Sequence, residues 1–183
     1  MTETAKPPAR KPPRPVSREW MFRAAAYYLE RYASTTANLR RVLERKVMRR
    51  CRERGEDPSV HADLITQTVD SFVELRLLDD RQFAEGRLAT LRRRGASKRQ
   101  TAMKLSEKGV DRDTIAAVME ADTTDEPAAA RALAKRRRLG PHRLRDRAER
   151  RDRDVAALMR AGFSFRDAAA AIDGTGEAED AQD

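Results

Sequence analysis

Apolar positions along this chain recur at helical rather than strand spacing. Phe22, Ala25, Ala26 and Leu29 fall at i, i+3, i+4 and i+7, and looser stripes follow at Ile65, Val69 and Phe72 and at Ala84, Leu88 and Leu91. Read with their start and stop signals, the stripes predict helices near 18–33, 35–54, 58–77, 80–94, 97–108, 111–121, 125–139, 142–161 and 164–172. Glycines at 55, 95, 109, 140, 162 and 174 punctuate the ends, and Pro58, Pro127 and Pro141 stand beside starts, where a missing N–H costs little. Ser97 with Gln100, Ser164 with Asp167, and Asp79 with Gln82 have the spacing of reciprocal N-terminal caps. Most of these helices are too short to persist alone, so packing must hold them.

An internal repeat organises the pattern. Thr101–Ala121 aligns without a gap with Asp154–Gly174, an offset of 53 (154 − 101): Leu105 matches Leu158, Gly109 matches Gly162, Val110 matches Phe163, and Ile115, Val118 and Met119 match Ala168, Ala171 and Ile172. With the helix that precedes each copy, the unit has three helices. The same count gives a longer first copy, in which Leu39 and Leu43 keep the stripe but no glycine follows Lys46 at once and an Arg-rich extension runs on to Gly55. The predicted fold is all-α: tandem three-helix repeats at 18–78, 79–122 and 123–173, forming an elongated curved array in which each unit hides its stripe against the next. A Pro-, Lys- and Arg-rich segment at 1–17 and a small, acidic one at 174–183 read as disordered tails.

Composition narrows the class. Of 183 residues 38% are charged, the formal net charge is +9, and Arg supplies 32 of the 39 basic residues. Such a surface seeks polyanions or acidic proteins, although genomic base composition also raises Arg over Lys. No apolar run reaches the ~18–20 residues of a membrane span, and no apolar region follows the basic N-terminus as in a secretory signal, so a cytoplasmic chain is expected. The lone Cys51 offers no internal disulfide, and two histidines far apart offer no zinc spacing, so neither metal nor cofactor is expected.

Catalytic constellations are missing: there is no Gly-rich phosphate loop, no Gly-x-Ser-x-Gly turn and no His-Glu-x-x-His helix. The Asp79-Asp80 pair reads as a helix cap, and the chain as no enzyme. The basic residues, in contrast, are clustered. Arg40–Arg54 holds eight cations; Arg92, Arg93, Arg94, Lys98 and Arg99 surround Gly95 without a nearby acid; Lys135–Arg153 holds ten, among them Arg136, Arg137, Arg138, Arg143 and Arg145. On one face of an array such clusters would contact phosphates or an acidic protein filament. The bland alternative is solvated helix faces with pairs such as Glu149 and Arg153. Trp20, Tyr27, Tyr28 and Tyr32 in the first helix read as packing rather than as a base-stacking surface.

Several of these residues together resemble a known family. Tyr28-Leu29-x-Arg31-x-x-Ser34, Leu39 and Leu43, Leu77-Leu78-Asp79-Asp80-x-x-Phe83-Ala84, Arg92-x-x-Gly95, Leu105-x-x-Lys108-Gly109-Val110 and Gly162-Phe163 are similar to the RecX family of recombination regulators, over roughly residues 20–173. The resemblance implies tandem three-helix repeats that bind the RecA recombinase filament on DNA and suppress its ATP hydrolysis and strand exchange in the DNA-damage response. A monomer is expected, with the RecA filament as partner and single- or double-stranded DNA met through the basic face. The alternative is a stand-alone helical protein whose target is nucleic acid itself.

Overall fold

In the computed structural model the described residues are 13–174, and they form nine α-helices, with no strand among them. The predicted tails lie outside the described residues except for 13–17 and Gly174. The chain divides into two compact units, one ending at Asp79 and one beginning at Asp80.

The first unit holds α1 (Arg18–Leu29), α2 (Thr36–Arg54), a 3-10 turn (Pro58–His61) and α3 (Ala62–Glu74). Ser17 and Thr35 cap α1 and α2, each hydroxyl accepting from the backbone N–H three residues on. The three apolar stripes meet in one core of Met21, Ala25, Leu39, Leu43, Val47, Cys51, Ile65, Val69, Phe72 and Leu78. The helix expected over 58–77 is shorter. Asp57 caps a 3-10 turn at its start, and its end closes before Arg76, a non-glycine residue at φ 55.

The second unit holds α4 (Asp80–Arg93), α5 (Lys98–Glu107), α6 (Arg112–Glu120), α7 (Glu126–Arg137), a 3-10 turn (Gly140–His142), α8 (Arg147–Arg160) and α9 (Phe165–Asp173). It has two cores. Ala84, Leu88, Leu105, Val110 and Val118 gather α4–α6; Ala129, Ala130, Leu133, Ala134, Val155, Leu158, Phe163, Ala168, Ala171 and Ile172 gather α7–α9. The alanines let α7 and α9 approach closely, as small residues on both faces of a helix pair permit. The helix predicted over 142–161 begins only at Arg147, because the 3-10 turn and Asp146, at φ 55, intervene and leave Leu144 94% exposed.

The repeat is visible in the hydrogen bonds. Val110 N–H donates to the Leu105 carbonyl and Phe163 N–H to that of Leu158, with Gly109 and Gly162 left-handed between them. In the first unit Glu56 N–H donates to the Cys51 carbonyl across Gly55 in the same pattern. The terminating glycine that seemed missing after Lys46 is therefore Gly55. Helix α2 is 19 residues long where α5 is 10, and its extra turns carry the Arg-rich run inside the helix.

Candidate functional site

The cluster around Gly95 is built on a buried arginine. Arg92 extends the stripe of Ala84 and Leu88 by one further turn, and its side chain is 1% exposed. Its Nε lies 2.7 Å from Asp122 and its Nη1 2.6 Å from Glu126, while the guanidinium also donates to the carbonyls of Ala96 and Thr124 at 2.7 Å each. A planar fork with five donors suits a site with three acceptors in different directions and a further carboxylate, Asp122, held by charge. The same Glu126 oxygen accepts from the Lys98 backbone N–H at 2.8 Å, so the first turn of α7 helps to cap α5. Arg92 is thus not a surface contact group, as its run of cations suggested; it joins α4 to the segment entering α7.

Backbone contacts tighten this joint. A Cβ on Gly95, at φ +77, would stand 2.5 Å from the Leu133 amide nitrogen and 2.7 Å from the Ala129 carbonyl oxygen. Ser97, which caps α5 by accepting from Gln100 N–H, donates its hydroxyl proton to the Ala161 carbonyl at 2.7 Å. A Cβ on Gly162, at φ +97, would meet that hydroxyl at 2.5 Å. Glycine is required at both positions by close approach as well as by φ.

Around the joint the other predicted residues take different places. Arg93, Arg94, Lys98 and Arg99 are exposed, as are Arg136, Arg137, Arg138 and Arg145. Gly95 touches the Leu133 backbone, and Arg136 and Arg137 stand one turn further along α7, so the joint that buries Arg92 sets an exposed cationic edge beside it. Arg138 ends α7 in the left-handed conformation at φ 54. Arg143 is half-buried and engaged: its Nε and Nη2 donate to both oxygens of Asp154 at 2.6 and 2.9 Å, and the Gly140 N–H donates to the same carboxylate at 2.9 Å. These bonds, the Arg143 guanidinium first, hold the Asp154 carboxyl below its ordinary value despite its burial. Arg143 therefore pins the loop between α7 and α8 rather than facing a ligand.

In the first unit Arg45, Arg49 and Arg52 are exposed on α2, and Tyr27 and Tyr32 are each 57% exposed, against the expectation that they pack. Trp20 and Tyr28 are half-buried. Ligand atoms of Cys51, Glu56 and His61 come within 4.8 Å of one another, a convergence that the sequence spacing did not suggest. Glu56 is bound by Arg54 Nε at 2.6 Å, and burial pushes the Cys51 thiol above its ordinary value with Glu56 and Asp57 adding to the rise. A neutral buried thiol beside a guanidinium-bound carboxylate is a poor resting donor set for a cation. No described helix is long and apolar enough to cross a membrane.

Helices in three-helix units, with exposed cations beside a buried arginine joint, make this an all-helical repeat protein. The family model for RecX, second three-helix domain, matches residues 79–119, the stretch that forms α4–α6. The regulatory protein RecX of Myxococcus xanthus is 41% identical over 168 residues, covering 89% of each chain, and that of Agrobacterium fabrum 35% identical over 156 residues, covering 82% of each. The chain belongs to the RecX family of regulatory proteins. No solved structure matches it.

Proposed function

We propose that this protein binds the RecA recombinase filament on DNA and slows its ATP hydrolysis and strand exchange, acting by binding and with no chemistry of its own. The observation that carries the reading is the exposed edge of Arg93, Arg94, Lys98 and Arg99 beside Arg136 and Arg137, set around a rigid joint in a chain whose relatives are named regulatory protein RecX. A filament of recombinase on DNA presents phosphates and acidic protein surface, and an edge of exposed cations is complementary to both. Arg138 and Arg145 extend the contact surface, while Arg92 and Arg143 support it from inside.

The test is the steady-state ATPase of RecA on single-stranded DNA, titrated with this protein. Inhibition should set in well below one molecule per recombinase monomer, because one bound molecule that spans or interrupts the filament silences several subunits. An unchanged rate at equimolar protein would overturn the proposal.

A further inference from the structure

Beside the first unit's core, α1 and α2 flank an open groove; on its α1 side Trp20 and Ala24 pack partly against that core while Tyr27 stands 57% exposed, and on its α2 side the stripe is charged. On α1 the positions Trp20, Arg23, Ala24 and Tyr27 fall at i, i+3, i+4 and i+7; on α2 Lys46, Arg49, Arg50 and Glu53 do the same. With Pro13 they line an open groove of about 570 Å³. Four cations stand there against the single acid Glu53, and among the described residues Arg23, Lys46 and Arg49 have no carboxylate at ion-pairing distance. The two rings are presented with guanidinium groups: Arg50 lies over Trp20, 4.4 Å from the ring centre, and Arg31 over Tyr27 at 3.6 Å. Arg50 and Arg54 also donate to the backbone carbonyls of Arg14 and Pro13, which fixes the chain along the end of α2. Small Ala24 lies between the two rings on α1 and leaves the floor low.

We propose that this groove is a binding site for a single-stranded polynucleotide, with phosphates held by Arg23, Lys46 and Arg49 and bases stacked against Trp20 and Tyr27. An acidic peptide would use the cations but gain little from the rings. A polynucleotide uses both, since every base offers a π-face at a spacing set by the backbone, and stacking of this kind tolerates any sequence. A folding role accounts for part of the arrangement, since Trp20 and Ala24 pack partly against the core, but not for Tyr27, which is more than half exposed, nor for the α2 stripe, which is charged throughout. The inference does not depend on the recombinase reading, since the ligand needs no recombinase to bind.

The chain contains one tryptophan, and it lies in the groove. Titration of the full chain with a short oligothymidylate, with no recombinase present, should quench Trp20 emission saturably. Tyr27→Ala should weaken that binding about 5- to 150-fold, the range for losing one stacked base. Lys46→Glu with Arg49→Glu should weaken it and flatten its salt dependence by about 0.7 per lost phosphate contact. Both variants change exposed or half-exposed side chains, and unchanged circular dichroism checks that they fold. Arg112→Glu with Arg166→Glu, both exposed in the second unit and outside the cationic edge, should leave the Trp20 signal in place. Binding without a change in Trp20 emission, a signal indifferent to the Tyr27 and Lys46/Arg49 changes, or equal displacement by polyglutamate at matched charge would each overturn the proposal.

Discussion

Replacing Arg92 by Ala removes one side chain and strands several partners. Asp122, whose side chain is 2% exposed, loses its cation at 2.7 Å, Glu126 loses one at 2.6 Å, and the carbonyls of Ala96 and Thr124 lose their donor. Breaking a buried pair by deleting one partner costs about 3–5 kcal/mol, because the remaining charge is left dry and uncompensated. For a chain of this size about 2–4 °C of Tm accompanies each kcal/mol, so the midpoint should fall by roughly 6–20 °C. Arg93→Ala next door, on an exposed side chain, should stay within about 0.5 kcal/mol. Thermal unfolding followed by circular dichroism, with both variants in parallel, reads the difference. Equal and small shifts for Arg92 and Arg93 would refute the joint and return Arg92 to the surface.

Gly95→Ala should cost more than Gly55→Ala in urea unfolding: both glycines are left-handed, at φ +77 and φ +70, but a Cβ at 95 meets the α7 backbone and one at 55 meets nothing within 4 Å. About 1–2 kcal/mol is expected at 55 and distinctly more at 95, and equal losses would contradict the close approach. Because the Asp154 carboxyl is held below its ordinary value in the fold, its contribution is present above the unfolded value of about 3.9 and is lost as pH falls through the lower folded value. Asp154→Asn should therefore be less stable at pH 7, with the gap to the parent narrowing as the pH falls below about 4; a gap that does not narrow with falling pH would remove the ion pair as its cause.

Helix positions, caps and repeat register were legible in the sequence because each is a local property. The spacing of Leu105 and Gly109 and of Leu158 and Gly162 predicts the same helix end twice, and the same end forms twice. The role of Arg92 was not legible in the same way. Its acids come from positions 122 and 126, so the run Arg92-Arg93-Arg94 looked free of carboxylates. One signal pointed inward: Ala84, Leu88 and Arg92 share a helix face at successive i+4 steps, so a charge occupied the next turn of a buried stripe. The late start of α8 was hidden for a related reason, since the loop before it is shaped by the Arg143–Asp154 pair across 11 positions. In α1 the ring positions Trp20 and Tyr27 have helical spacing that suits a core or a groove equally; Trp20 packs partly against the core, and the 57% exposure of Tyr27 was not legible from spacing.

If the exposed cations beside the joint hold a recombinase filament, reversing them must release it. Arg93→Glu, Arg94→Glu and Arg99→Glu together reverse that edge and leave Arg92, Gly95 and the apolar stripe untouched, so the fold should survive. The measurement is the RecA ATPase on single-stranded DNA at fixed salt, titrated with parent and triple variant. The parent should inhibit below one molecule per recombinase monomer, and the folded variant should need at least about tenfold more protein for the same effect. Full inhibition by the folded variant at the parent's concentration would show that this edge is a solvated face and would contradict the account.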